Sequence, residues 1–171
     1  MALLFDLDQT IIDSSSAEKN RKSGQWSAVY ALIPQFKLYP GVMEALQFAK
    51  ANDLKICIVT SSPSTYCQKV LDHWKIPYDQ KVCYHDTSKR KPYPDPLARG
   101  MELIECAETT NAISFGDRAI DIQASKAANV ISVGCTWGSS EINELKASNP
   151  DIIIDSPKEL IPIIKKHYKL K

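Results

Sequence analysis

Short apolar runs alternate with longer stretches of helical periodicity along most of the chain. Six runs are rich in Val, Ile and Phe and are bounded by polar or turn residues, as is typical of buried strands. They are 2–5, 55–60, 81–85, 111–116, 129–134 and 151–155. Between them, apolar positions three or four residues apart predict helices, several of which begin at or just after proline. These are 40–52, 63–75, 94–107, 118–128 and 139–148.

This alternation of strands and helices predicts an α/β fold with a mostly parallel central sheet and helices on both faces. In such sheets ligands bind outside the carboxyl ends of the strands, where the strand order reverses. Only the segment 14–39 interrupts the alternation. We therefore expect the functional residues to follow directly after the strands.

Composition narrows the class of protein without indicating a partner. The 171 residues, 44% hydrophobic and 24% charged with a net charge of +1, correspond to one ordinary globular domain. A charge so close to zero provides no electrostatic reason to expect nucleic-acid binding. No apolar run approaches the roughly 18 residues of a membrane span, and Met1 leads straight into a strand. Since the five cysteines also form no CxxC pair, we expect a cytoplasmic protein with reduced thiols and no membrane partner.

Polar side chains collect at the predicted strand ends. They are Asp6, Asp8 and Thr10 after the first strand, Thr60, Ser61 and Ser62 after the second, Lys91 after the third, and Asp117 and Asp121 after the fourth. A single Asp-x-Asp pair is more often a helix cap or a solvated loop. Four carboxylates at one edge repel one another unless a cation lies among them, and hard oxygen ligands suit Mg²⁺. The agreement of four strand ends therefore favours a magnesium site.

Four of these strand ends also carry a family resemblance. DLDQT (6–10), IVTSS (58–62), the lysine of KRKPYPDP (89–96) and GDRAID (116–121) resemble, in order, the four motifs of the haloacid dehalogenase-like hydrolases. VISVGCTWGSS (130–140) and IIIDSPKEL (152–160) look like the tail of the phosphoglycolate-phosphatase-like branch. The resemblance implies a Rossmann-like three-layer sandwich, formed by residues 1–171 as one core domain, with a Mg²⁺-dependent phosphohydrolase site.

Phosphoryl chemistry and the resemblance together suggest roles for the residues that match the motifs. Asp6 would attack a phosphate monoester and form an aspartyl phosphate. Asp8, two residues on, would protonate the leaving group and later deprotonate the attacking water. Lys91 and the hydroxyl of Thr60 would position the phosphoryl group and balance its charge.

The same resemblance implies a metal site formed by Asp6, Asp8, Asp117 and Asp121. Asp117 would ligate Mg²⁺ with the Asp6 carboxylate and the backbone carbonyl of Asp8. Asp121, four residues further on in a helix, would orient the water shell of the metal or Lys91. The cofactor predicted for this chain is therefore Mg²⁺.

The remaining hydroxyls and one cation at these strand ends are predicted to contact substrate. They are Thr10, Ser61, Ser62 and Arg118. Two assignments have an alternative that stays open. Thr60 and Ser61 could cap the helix that begins near Pro63 in place of contacting phosphate. Lys89 could be the phosphate ligand in place of Lys91. Gln9 also departs from the glycine common within the first motif, which affects backbone conformation more than chemistry.

The segment 14–39 lies where related phosphatases usually carry a helical cap domain. Its length allows one helix, expected around 26–33, or a loop, but not a lid that seals a small substrate from water. An open site suits large or extended substrates, or a lid supplied by a second copy or another partner. The apolar residues of the segment must then pack on the core or on a second copy. They are Trp26, Val29, Tyr30 and Leu32.

Three functions are compatible with these features. The leading hypothesis is a phosphomonoesterase for a nucleotide, a nucleic-acid end, a phosphoprotein or a small phosphate ester, with nucleic acid only as substrate. A phosphotransferase or mutase would use the same residues, although water would compete freely in a site without a cap. A binding module that has lost catalysis is the third alternative, and the presence of every motif residue argues against it.

Overall fold

The computed structural model describes residues 1–170. Its strands are β1 (Ala2–Phe5), β2 (Ile12–Asp13), β3 (Lys37–Leu38), β4 (Lys55–Val59), β5 (Gln80–Val82), β6 (Ala112–Gly116), β7 (Ile131–Cys135) and β8 (Ile152–Ile154). Its α-helices are α1 (Glu18–Lys22), α2 (Trp26–Leu32), α3 (Val42–Ala51), α4 (Ser64–Trp74), α5 (Asp95–Leu103), α6 (Ala119–Ala127), α7 (Ile142–Ala147) and α8 (Leu160–Tyr168). No helix within residues 1–170 is long and apolar enough to cross a membrane.

The central sheet has six strands in the order β5-β4-β1-β6-β7-β8, and every neighbouring pair is parallel. The chain moves from β1 towards β5 on one side and from β6 towards β8 on the other, so the strand order reverses at β1. Ligands of open α/β sheets bind at this kind of switch point. The predicted fold class is confirmed, and it places the end of β1 at the centre of the expected site.

Side chains of β1 alternate between the two faces of the sheet, as the pleat requires. Leu3 and Phe5 belong to a buried cluster that includes residues of α3, α4 and α8, whereas Ala2 and Leu4 join a second cluster with residues of α5 and α6. Both faces are therefore covered by helices. The ring of Phe5 stacks on that of Phe115 in β6, with centroids 4.5 Å apart, directly beneath the strand ends. This packing holds the ends of β1 and β6 side by side.

The last helix of the chain was not among the predicted elements. α8 spans Leu160–Tyr168 and buries Leu160 and Ile164. Ser156 and Glu159 form a capping box in the turn before it. Serine three residues ahead of glutamate, followed by an apolar run, is a sequence signature of a helix N-terminus. The signal for α8 was therefore present in the sequence.

The segment 14–39 is more ordered than one helix or a loop. It contains α1 and α2 with short 3₁₀ turns at 15–17 and 33–35, and the antiparallel pair β2–β3 closes its base. Val29 is fully buried, while Trp26, Tyr30 and Leu32 pack against the main core. These apolar side chains therefore cover the core of the same chain, and their packing requires no second copy. Within residues 1–170 there is no separate cap domain.

Candidate active site at the carboxyl edge of the sheet

The three strands at the switch point end in polar residues that share one edge. Asp6 follows β1, Thr60 follows β4 and Asp117 follows β6. The backbone N–H of Asp6 donates to the carbonyl of Phe115 at 2.9 Å, which extends the ladder by one residue. Because parallel strands end together, residues more than fifty positions apart in the sequence meet here.

A cluster of three carboxylates and one ammonium group forms the centre of the site. Asp6, Asp117 and Asp121 each offer an oxygen atom, and these atoms lie within 4.8 Å of one another. Nζ of Lys91 lies 2.9 Å from Oδ1 of Asp6 and 2.7 Å from Oδ1 of Asp121. Only 4% of the Lys91 side chain is exposed. The geometry therefore places a fixed positive charge between two of the three acids.

One ammonium group does not balance three closely spaced carboxylates, of which those of Asp117 and Asp121 are buried and that of Asp6 is partly buried. Burial raises the pKa of Asp6 to about 7, against the attraction of Lys91. Burial, reinforced by the charges of Asp6 and Asp121, also raises the pKa of Asp117 well above its usual value. Burial acts to lower the pKa of Lys91, but its two carboxylate partners outweigh that effect and raise it. Closely spaced oxygen donors with excess negative charge are the donor set that Mg²⁺ prefers, so the residues present fit this ion.

Neighbouring groups hold these carboxylates in place. The buried hydroxyl of Thr10 donates to Oδ1 of Asp117 at 3.0 Å. The second oxygen of Asp121 accepts from the backbone N–H of Arg118 at 3.0 Å, at the start of α6. Thr10 therefore positions Asp117, and it is absent from the cavity wall described below. The contact of Thr10 with substrate stays a prediction.

Gly116 allows Asp121 to lie against the end of β6. A Cβ atom at position 116 would lie 2.3 Å from Cβ of Asp121, so we expect Gly116→Ala to displace this carboxylate and the Lys91 bound to it. The expected effects are a loss of stability of about 1–3 kcal/mol and an activity loss of roughly 100-fold. Thermal unfolding and phosphate release measure them.

Gly134→Ala is the matched control for this substitution. Gly134 pairs with Gly116 at the same register on β7, and a Cβ there would approach Pro150 at 3.2 Å. That contact is milder and lies away from the carboxylates, so its activity should stay near wild type. Equal activity losses in the two variants would show that Gly116 has no special relation to the site.

Asp8 lies in a second cluster of hydrogen-bond donors. Its Oδ1 accepts from the hydroxyls of Ser14 and Tyr66, each at 2.6 Å, and pairs with the guanidinium of Arg21 at 2.5 Å. Its Oδ2 accepts from the hydroxyl of Ser62 at 2.8 Å. Arg21 belongs to α1 and Tyr66 to α4. The carboxylate of Asp8 therefore joins the segment 14–39 to the edge of the sheet.

A cavity of about 730 Å³ opens in front of both clusters. Its wall includes Asp6, Asp8, Asp117, Asp121 and Thr60, the predicted substrate residues Ser61, Ser62 and Arg118, and, from the segment 14–39, Ser15, Glu18, Arg21, Lys22 and Trp26. The segment thus forms one wall of the cavity. Arg118 is exposed at the rim, with Nε 3.5 Å from a carboxylate oxygen of Glu141.

The structure distinguishes between the alternatives that the sequence left open. No side chain caps the first turn of α4, and the hydroxyl of Thr60 instead accepts from the backbone N–H of Ser62 at 3.0 Å. Lys89 is exposed and its Nζ lies 5.2 Å from the ring centroid of Tyr93, whereas Lys91 is buried among the acids. The geometry therefore favours Lys91 as the phosphate ligand.

The unusual Gln9 of the first motif adopts a left-handed backbone conformation, with φ of 65°. Non-glycine residues rarely adopt this conformation, which explains why glycine is common at this position. Gly138 packs closely against the carbonyl of Gln9, and Trp137 donates from Nε1 to the carbonyl of Thr10 at 3.0 Å. The loop after β7 therefore braces the loop that carries Asp6 and Asp8.

Arg21 and Tyr66 were not among the predicted site residues. Arg21 stands in a short polar helix without an apolar stripe, and Tyr66 has the spacing of a core residue on α4. No local sequence signal connects either residue to Asp8. Their part in the site depends on tertiary contacts alone.

Comparison with known proteins assigns the family. A family model described as haloacid dehalogenase-like hydrolase matches residues 18–135, more than half of the chain. The chain belongs to the haloacid dehalogenase-like hydrolases. The family resemblance is thereby confirmed, and three of the four motifs lie within the matched residues.

Relatives of this chain among the haloacid dehalogenase-like hydrolases are named phosphoglycolate phosphatase. The protein of that name from Pseudomonas syringae pv. syringae is 29% identical over 164 residues, which cover 94% of this chain and 59% of the relative. The Escherichia coli protein is 32% identical over 129 residues, which cover 74% of this chain and 51% of the relative. The chain thus spans only about half to three fifths of the length of these relatives.

Solved structures of the same fold extend over nearly the whole chain. The crystal structure of a hydrolase from Pseudomonas syringae matches with a TM-score of 0.81 at 21% sequence identity. The match covers 96% of this chain and 98% of that chain. At this level of identity the likeness supports the fold of a haloacid dehalogenase-like hydrolase and says nothing about substrate.

Proposed function

We propose that this chain is a Mg²⁺-dependent phosphomonoesterase that acts through an aspartyl phosphate on Asp6. The observation that carries the proposal is the position of Lys91, whose ammonium group contacts Asp6 and Asp121 beside Asp117. Asp6, Asp8, Thr60, Asp117 and Asp121 line the cavity in front of the strand ends, and Lys91 lines a small pocket that shares Asp6 and Asp121 with it. A phosphate that enters the cavity would meet a carboxylate nucleophile and a positive charge at the same point.

The first half of the reaction transfers the phosphoryl group to the protein. An oxygen of the Asp6 carboxylate attacks phosphorus, and the bond from phosphorus to the ester oxygen breaks as the new bond forms. Protonated Asp8 gives its proton to the departing alkoxide. Lys91 and the hydroxyl of Thr60 hold the transferring oxygens, because phosphoryl transfer depends mainly on positioning and charge balance.

The second half restores the carboxylate of Asp6. Asp8, now ionised, takes a proton from water as the water oxygen attacks phosphorus. The bond between phosphorus and Asp6 breaks, and inorganic phosphate leaves. Asp8 ends protonated, as it began, so one water molecule is consumed and no proton is left over.

The residues that would hold Mg²⁺ are Asp6 and Asp117, with the backbone carbonyl of Asp8 and with Asp121 in support. Bound there, the ion supplies positive charge that offsets the repulsion between the carboxylates and the phosphate. The raised pKa values of Asp6 and Asp117 agree with a site that needs such a cation. Lys91 and the ion would then share the charge of the phosphate.

The cavity supports a range of phosphate esters as substrates. A volume of about 730 Å³ falls within the range of small-molecule sites, and the exposed Arg118 lies at its rim. The relatives' name makes a small carboxylic acid phosphate one candidate, alongside nucleotides, nucleic-acid ends and phosphoproteins. The segment 14–39 forms one wall of the cavity, so no partner chain is needed to supply that wall.

The test is phosphate release from a panel of monoesters in the presence of Mg²⁺ and in the presence of a chelator. The panel includes nucleotides, oligonucleotides phosphorylated at the 3′ or the 5′ end, phosphopeptides, sugar phosphates and phosphates of small carboxylic acids. We expect release that stops with chelator and returns with added Mg²⁺. Comparison of each oligomer with its monomeric piece shows whether the site accepts polymers.

Three results would contradict the proposal. Equal release with metal and with chelator would exclude the magnesium dependence. Binding of Mg²⁺ in a metal titration, without turnover of any ester, would favour a binding module. Transfer of phosphate to an added alcohol in place of water would instead indicate a phosphotransferase.

A further inference from the structure

The carboxylate of Asp8 is held unequally at its two oxygens. Oδ1 receives three donors, the hydroxyls of Ser14 and Tyr66 and the guanidinium of Arg21. Oδ2 receives a single hydroxyl, that of Ser62. Since each carboxylate oxygen has about two lone-pair sites, Oδ1 is saturated and Oδ2 keeps one site free. The two oxygens therefore differ in their capacity to exchange a proton.

Arg21 is the charged member of the group on Oδ1. Its side chain is 17% exposed, and within residues 1–170 the Asp8 carboxylate is its only hydrogen-bond or ion-pair partner. Its Nε is buried without a partner, although the guanidinium also lies 5.8 Å from the ring centroid of Tyr66. A partly buried arginine that leaves one donor unsatisfied is held mainly by the contact it does make. That contact is Oδ1 of Asp8.

This arrangement connects the segment 14–39 to the chemistry. Ser14 and Arg21 both come from the segment, whereas Ser62 and Tyr66 come from the edge of the sheet and α4. Charge-assisted hydrogen bonds are shorter and stronger than neutral ones, so Arg21 contributes most to fixing the direction of the carboxylate. Without it, only the neutral hydroxyls of Ser14, Tyr66 and Ser62 would hold the carboxylate, and its direction would be fixed less firmly.

We propose that Arg21 is a positioning residue that anchors Asp8 through Oδ1 and leaves Oδ2 as the oxygen that exchanges the proton. This inference rests on the proposed phosphatase function. In the first step the proton on Oδ2 passes to the leaving oxygen as its bond to phosphorus breaks. In the second step Oδ2 takes a proton from the attacking water. Arg21 acts through Asp8 and takes no part in the bonds that form and break at phosphorus.

The test compares leaving groups in Arg21→Gln. An alkyl phosphate needs a proton on its leaving oxygen, whereas 4-nitrophenyl phosphate releases a phenolate that leaves without one. The ratio kcat/KM covers only the steps up to the release of the leaving group. It therefore reports on the step in which the leaving oxygen receives its proton. We expect kcat/KM for an alkyl phosphate to fall by about 100-fold, the scale of general acid catalysis. For 4-nitrophenyl phosphate we expect kcat/KM to fall by only about 10-fold or less.

Two further variants complete the experiment. Arg21→Lys keeps a charge within reach of Oδ1 and should recover part of the loss. Lys19→Gln removes an exposed charge from the same helix, and both substrates should react as in wild type. Circular dichroism and thermal unfolding show whether each variant folds.

Three outcomes would overturn the role of Arg21. Equal losses on both substrates would indicate a purely structural contact, and unchanged rates would show that Asp8 needs no anchor. Faster turnover in Arg21→Gln would show that the ion pair inhibits the enzyme. Each leaves the proposed function standing if Asp6→Asn is inactive, so failure of this inference is distinguishable from failure of the phosphatase proposal.

Discussion

Asp6→Asn is expected to abolish phosphate release, with a loss on the order of 10⁴-fold or more. An amide oxygen does not attack phosphorus at a useful rate, so no phosphoenzyme forms. The substitution keeps the shape of the side chain and its place beside Lys91. The measurements are steady-state phosphate release and intact mass after brief mixing with substrate. Wild type should gain the mass of one phosphoryl group, and the variant should not.

The free energy of unfolding of the wild-type protein should depend on pH through Asp6, and Asp6→Asn should remove that dependence. Burial raises the pKa of Asp6 from 3.8 to about 7 in the folded protein, so the folded state binds more protons than the unfolded state between these values. Its contribution to stability is therefore complete below about pH 4 and is lost as pH rises through about 7. With chelator present, Asp6→Asn should flatten this decline. Thermal unfolding between pH 4 and pH 8 measures it.

Asp13→Asn is the matched control for Asp6→Asn. Asp13 lies seven positions further on, at the end of β2, and accepts from the hydroxyl of Ser15 at 2.6 Å. It is absent from the cavity wall. Activity of this variant should stay near wild type. If Asp6→Asn kept more than a few per cent of the wild-type rate, Asp6 would not be the nucleophile.

The placement of the acids was predictable because parallel strands end together. Once β1, β4 and β6 were recognised from their apolar runs, Asp6, Thr60 and Asp117 had to meet at one edge. The position of Lys91 depended on the motif, since Lys89 lies in the same charged run. Local sequence does not distinguish these two lysines, whereas burial does.

The contacts of Asp8 and Thr10 were not predictable in the same way. Arg21 reaches Asp8 from α1, a five-residue helix without a buried residue. No periodic pattern marks such a helix, because periodicity reports an apolar face that packs on a core. Thr10 looked like a substrate ligand from its motif, but its hydroxyl is turned towards Asp117. The direction of a single side chain depends on packing that the motif does not encode.

Lys91→Met is expected to damage both stability and activity. The ammonium group is buried against Asp6 and Asp121, and removing one partner of a buried ion pair typically costs about 3–5 kcal/mol. Phosphate release should fall on the order of 10³-fold, since the charge that stabilises the transferring phosphoryl group is lost. Added Mg²⁺ should recover part of the stability, because a bound cation offsets the uncovered carboxylates. Thermal unfolding with Mg²⁺ and with chelator measures this recovery.

Lys89→Met is the control that separates the two lysines. Lys89 is exposed beside Tyr93, so its loss should change stability by only about 0.5 kcal/mol or less. Activity should stay near wild type. A large activity loss in Lys89→Met, with Lys91→Met still active, would transfer the phosphate contact to Lys89. If neither variant lost activity, no lysine of this loop would hold the phosphoryl group. The charge at the centre of the site would then have to come from the metal alone.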